Sequence, residues 1–311
     1  MNCWALLANF NDSSSGASGH KFKLRVAFGW FNPYHRPIGF NNTRGYSMDL
    51  GIAGKWALVG GASKGLGFGC AQALVREGVN VLMVARGAEA LQQAAHQLIA
   101  NNVGATRAEV LFLPADITTT EGRAAVFATR RDFDIVVTNA GGPPTGDFRN
   151  WDRDAWLRAI DANMLTPIEL IKATVDGMAE RGFGRIINIT SSAVKSPIDT
   201  LGLSNGARSG LTGFVAGVAR SALAGRGVTI NNLLPGSFDT DRLRSNFQGA
   251  ATKSGQSLDA VMDARRKTIP SQRFGQPEEF GAICAFLCSQ QAGYINGQNV
   301  LADGGAFGGT F

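Results

Sequence analysis

From Met48 onward the chain repeats one alternation: a short, continuously apolar, β-branched run, then a stretch with helical spacing of its apolar residues. The runs read as strands at 56–60 ("WALVG"), 80–85 ("NVLMVA"), 110–115 ("VLFLPA"), 134–139 ("DIVVTN"), 185–190 ("RIINIT"), 228–234 ("VTINNLL") and 298–303 ("QNVLAD"). Helical periodicity occupies 65–77, 88–101, 152–181, 205–223 and 277–288. Strands without polar alternation are buried on both faces, and helices between them are the crossovers that parallel strands require. The expectation is a single α/β domain: a doubly wound, seven-stranded parallel sheet with helices on both faces and ligands at the carboxyl ends of the strands.

Residues 1–47 stand outside this pattern, rich in Ser, Asn and Gly and without a sustained period. They are expected to be an N-terminal extension, either disordered or upstream of a true start at Met48. Five bases (Lys21, Lys23, Arg25, Arg36, Arg44) against Asp12 put most of the net charge of +6 there, so the domain itself carries no basic stripe for nucleic acid. No apolar run reaches the roughly 20 residues of a membrane span. The cysteines have neither disulfide nor metal-site spacing; Cys284 and Cys288 read as core residues of a helix, and no metal is expected. These features imply a reduced, cytoplasmic protein. The segment 237–276, polar and charged, reads as one long irregular insertion placed where a substrate lid belongs.

The first strand runs directly into "VGGASKGLGFG". Gly61, Gly65 and Gly67, with Ser63, Lys64 and Leu66 between them, allow a tight turn and close approach of backbone to a pyrophosphate, at a helix N-terminus with outward N–H groups.

The spacing Gly61-x-x-x-Gly65-x-Gly67 resembles the fingerprint of short-chain dehydrogenases/reductases, and further motifs of that family follow in order. "PADIT" supplies Asp116 and Ile117, and the resemblance implies that Asp116 contacts the adenine. "TNAGG" supplies Asn139, Ala140 and Gly141 at the adenine ribose. "DANMLTP" carries Asn163, and "GRIINITSS" carries Ser191 as the active-site serine. "LLPGSFDT" supplies Pro235, Gly236 and Thr240 at the nicotinamide carboxamide, and "YINGQNVLADGG" resembles the last strand. The match extends from about Leu50 to Gly305, with Gly60 in place of the family's frequent threonine. Arg86 after the second strand and Lys64 in the turn, with no acid beside them, favour NADP(H) over NAD(H).

The departure is in "SNGARSGLTGF". Where the family carries a tyrosine and, four residues on, a lysine, the alignment puts Ser204 and Arg208; Ser204 lies thirteen residues after Ser191, the family's common spacing. An alkyl hydroxyl is a far weaker acid than a phenol, and a guanidinium does not relay protons. The expected activity is therefore NADP(H)-dependent oxidoreduction of a small ketone/secondary alcohol pair, with a 3-oxoacyl thioester as the substrate that the resemblance to 3-oxoacyl-acyl-carrier-protein reductases lacking the pair suggests. Ser191 and Asn163 would be retained and Lys195 would serve as an alternative proton donor. The alternative is a catalytically inactive NADP(H)-binding sensor or partner subunit. Hydrolysis through Ser191 and Lys195 has no strained glycine elbow or histidine to support it. Family members form dimers or tetramers, and a homo-oligomer through 152–181 and 205–223 is expected.

Overall fold

The computed structural model describes residues 48–102 and 107–310. The proposed extension 1–47 lies outside them. Seven parallel strands form one sheet in the order β3-β2-β1-β4-β5-β6-β7: β1 (Trp56–Gly60), β2 (Asn80–Ala85), β3 (Val110–Pro114), β4 (Ile135–Thr138), β5 (Gly184–Ile189), β6 (Val228–Pro235) and β7 (Asn299–Ala302). Each expected strand is present, shifted by no more than two residues at either end.

The helices are α1 (Gly65–Arg76), α2 (Ala88–Asn101), α3 (Thr120–Thr129), α4 (Arg153–Ile160), α5 (Thr166–Glu180), α6 (Gly202–Val218), α7 (Asp241–Ser254), α8 (Leu258–Lys267) and α9 (Pro277–Cys288). Alternate residues along a strand feed opposite layers. Ala57, Val59, Val81 and Met83 pack under α1, α2 and α9, whereas Leu58, Leu82 and Val136 pack with Leu170, Val175, Leu211 and Val215 of α5 and α6. The α1–α9 contact depends on glycine, since a Cβ on Gly69 or Gly281 would collide with the facing backbone. Cys70, Cys284 and Cys288 are fully buried in this layer.

Three expectations change. The 237–276 segment is not irregular: Thr240 caps α7 and Ser257 caps α8 through their side-chain oxygens. Leu243, Phe247, Leu258, Met262, Ile269 and Phe274 close a small apolar cluster of their own. The i, i+4 spacing of Leu243, Phe247 and Ala251 is helical; the surrounding charges are the solvent face of a thin layer. The expected helix 152–181 is two helices joined by a π-helical turn, Asp161–Leu165. Helix α3, capped by Thr119, fills a crossover in which Val126 and partly buried Phe127 are the large apolar residues packed on the core, too few for a clear stripe.

Candidate active site

The order of strands reverses at β1, whose neighbours are β2 and β4, and this switch point opens a crevice at the carboxyl edge of the sheet. The glycine turn and the end of β4 meet there. Gly61 and Gly65 have φ of +58°. A Cβ on Gly61 would lie 2.6 Å from the Asn139 Nδ2, and one on Gly67 would collide with the Gly61 carbonyl. The glycine turn, the start of α1 and the end of β4 therefore fit together only because these side chains are missing. Helix α1 starts at Gly65 with no side-chain cap and no acid in its first turn, which leaves N–H groups and positive potential directed at the crevice. This cradle fits a dinucleotide pyrophosphate.

Around it, Asp116 uses one carboxylate oxygen to accept from the Thr118 N–H (3.0 Å) and hydroxyl (2.7 Å), which fixes the turn leaving β3. Ile117, Thr138, Asn139, Ala140, Asn163 and Thr166 line one small cavity. Arg86 follows β2, its Nη2 3.9 Å from the Cβ position of Gly141; among the described residues it forms no ion pair. Lys64 differs: its ammonium pairs with Asp241 at 3.0 Å, both side chains exposed.

On the other side, Gly236 donates to Ala302 (2.8 Å), and a Cβ on it would meet Asp303 at 2.6 Å, so Pro235 and Gly236 turn tightly against the end of β7. Thr240 accepts from Leu243 N–H (3.3 Å) as the cap of α7, while its methyl lies 3.5 Å from the Cβ position of Gly65. The insertion thus begins in contact with the glycine turn.

Ser191 follows β5 by two residues and accepts from Ala193 N–H (3.1 Å), which positions its oxygen at the start of a 3-10 turn. Asn163 is buried within the π-turn and donates to Ala159 (3.2 Å). On α6, buried Ser204 accepts from Arg208 Nη1 at 2.5 Å. Removal from water, and then the nearby Arg242, lower the Arg208 guanidinium to about 10. It stays charged at neutral pH. Lys195 ends the 3-10 turn, its ammonium 5.7 Å from the Phe307 ring centre; no hydrogen bond among the described residues joins it to Ser191.

Arg242 is a candidate site residue that sequence reasoning missed, having taken 237–276 only as a polar, charged insertion. It donates to the carbonyls of Gly142 (3.1 Å) and Pro143 (3.0 Å), across from Arg208. A signal existed: a cation in the first turn of a helix opposes the helix dipole and calls for a separate reason.

A parallel doubly wound sheet with an uncapped glycine turn at its switch point defines a dinucleotide-binding α/β protein. The family model described as enoyl-(acyl carrier protein) reductase matches residues 61–306. The chain belongs to the short-chain dehydrogenase/reductase family and is an oxidoreductase of the 3-oxoacyl-acyl-carrier-protein reductase type. It is 33% identical over 267 residues to the 3-oxoacyl-acyl-carrier-protein reductase of Vibrio harveyi, covering 83% of this chain and 99% of that protein. Its fold matches L-sorbose reductase of Gluconobacter frateurii, solved with NADPH and L-sorbose, with a TM-score of 0.78 and 27% identity over 84% of this chain and 100% of that one. A variant of the actinorhodin polyketide ketoreductase, solved with NADPH, matches with a TM-score of 0.74 and 28% identity over 81% of this chain and 97% of that one. Among the described residues no helix is long and apolar enough to cross a membrane.

Proposed function

We propose that the protein is an NADP(H)-dependent oxidoreductase of a ketone/secondary alcohol pair, with 3-oxoacyl compounds the substrate class that its relatives suggest. The observation that carries this reading is the junction of glycine turn, Asn139 and uncapped α1 at the switch point of the sheet. Bound there, the nicotinamide cofactor would supply the hydride acceptor and donor.

The chain's own residues then divide the work. The α1 N-terminus with Gly61, Ser63, Gly65, Leu66 and Gly67 would hold the pyrophosphate, and Asp116, Ile117, Asn139, Ala140 and Gly141 the adenosine. Pro235, Gly236 and Thr240 would fit the carboxamide, and Arg86 the 2′-phosphate. Lys64 is the weaker phosphate ligand of the two cations, because it is already paired with Asp241. Ser191 would donate to the substrate oxygen, and Ser204 would add a second donor. Because the Ser204 oxygen accepts from a charged guanidinium, its own O–H is free to point elsewhere, and the cation strengthens it as a donor. Neither hydroxyl is a good acid, so the proton itself would come from Lys195. Helices α7 and α8 would form the lid. Exposed Leu157 and Leu165, on α4 and in the π-turn, would contribute to a homo-oligomer contact.

A second reading is favoured by the Ser204–Arg208 pair: the fold binds NADP(H) without turning over, as a sensor or partner subunit. Titration of the full chain with NADPH and NADH by cofactor fluorescence, followed by a panel of ketones and 3-oxoacyl thioesters, separates them. Consumption of bound NADPH supports the reductase; tight binding with no consumption across the panel supports the second reading. Absence of binding removes both.

A further inference from the structure

Arg208 and Arg242 come from helices α6 and α7, far apart in the chain, and aim at one place. The Cβ position of Gly142 lies 2.7 Å from the Arg242 Nη2 and 3.4 Å from the Arg208 Nη2. Among the described residues no carboxylate pairs with either cation. Two of the insertion's other cations behave differently, Arg244 being paired with Asp239 and Arg266 with Asp263.

Two like charges brought together and partly withdrawn from water are unfavourable, and both guanidiniums are held below their ordinary value, Arg208 by burial and then by Arg242, Arg242 by burial. Arg242 also stands in the first turn of α7, at the unfavourable end of the helix dipole. Each guanidinium carries five N–H donors. Arg208 gives one nitrogen to Ser204, and Arg242 gives two to the Gly142 and Pro143 carbonyls, so several N–H groups remain for a ligand. An anion at this point would relieve the repulsion and use those donors.

We propose that Arg208 and Arg242 form a subsite for the carboxylate of the substrate, so that the protein acts on oxo acids as free anions in preference to neutral esters or thioesters. This rests on the oxidoreductase reading, because the subsite is placed beside Ser204 and at the start of the loop after β4. The cofactor's phosphates share the same chemistry. The substrate is favoured because the cradle for pyrophosphate is the glycine turn, where Thr240 and Asp241 make contact, whereas Arg242 turns away to the Gly142 and Pro143 carbonyls.

The test is calorimetric titration of the full chain with sodium acetoacetate and with ethyl acetoacetate, alone and with saturating NADP+, a mixture in which no hydride is available. The expected result is that acetoacetate binds at least about tenfold tighter than the ester with NADP+ present. Arg242→Met and Arg242→Gln should each erase that preference while melting cooperatively and binding NADP+ within about threefold of the parent. Equal binding of acid and ester, or an intact preference in both variants, overturns the proposal. Displacement of acetoacetate by NADP+ assigns the pair to the cofactor's phosphates and also overturns it. Failure to bind NADP+ at all defeats the oxidoreductase reading separately; the acid-to-ester preference measured without cofactor then decides the anion subsite alone.

Discussion

Ser204 Oγ accepts a hydrogen bond of 2.5 Å from Arg208 Nη1, one helical turn further along α6. The i, i+4 relation brings the two side chains together on one face of the helix, and the buried position of Ser204 keeps water from replacing the contact. The pair holds charge on this face of α6, but neither member exchanges protons readily at neutral pH. The proposed chemistry therefore depends on groups elsewhere.

Ser191 is the first of them. Ser191→Ala should lower turnover by about 10²- to 10³-fold, the usual effect of removing one donor to a developing oxyanion, while the dissociation constant for NADPH stays within about threefold. Stopped-flow reduction together with cofactor fluorescence checks both numbers; a mutant as fast as the parent would remove Ser191 from the reaction.

Lys195 is the proposed proton source. Lys195→Met should reduce turnover by about 10²- to 10⁴-fold, the range for a general acid, with cofactor affinity retained. An unchanged rate would assign the proton to solvent and leave Lys195 as a partner of Phe307.

Arg86 should separate the two cofactors. Hydrogen bonds to a charged group contribute about 1.5–3 kcal/mol, or about 10- to 100-fold in affinity. Arg86→Asp is expected to weaken NADPH binding by that factor or more and to leave NADH nearly unchanged. Equal losses for both would dissociate Arg86 from the 2′-phosphate.

Gly67→Ala tests the cradle. Its Cβ would collide with the Gly61 carbonyl, so α1 must shift at a cost of about 1–3 kcal/mol. Thermal melting should show a lowered Tm, and NADPH affinity should fall at least about tenfold. Full affinity in the variant would mean that the turn does not hold the phosphates.

Acid stability should report on Glu279. It accepts from Arg273 at 2.6 and 2.7 Å and from Gln276 N–H at 2.8 Å, and these bonds lower its carboxyl to about 2. A depressed carboxylate stabilises the fold above its unfolded value near 4.5, and that contribution is lost as pH falls through the folded value. Glu279→Gln should therefore melt below the parent at pH 7, and the gap should close between about pH 4.5 and 2. The exposure of the pair keeps the effect small. A gap independent of pH would point to lost capping alone.

The sequence by itself determined the architecture and the position of the glycine turn within it. Continuous apolar runs such as Val81–Val84 are buried on both faces wherever they are placed, and Gly61, Gly65 and Gly67 mark their turn because that geometry excludes side chains. Both are local properties. The insertion was not legible in the same way: the cluster of Leu243, Phe247, Met262 and Phe274 is small, and polar and charged residues are interspersed among the apolar ones along each of its helices. Only the tertiary structure brought Arg242 to Arg208. They lie 34 positions apart on separate helices, and no spacing rule relates them; their meeting depends on how the start of α7 leans on the glycine turn and reaches the loop after β4. Electrostatic neighbours of this kind are made by packing, so their chemistry becomes visible only when the chain is folded.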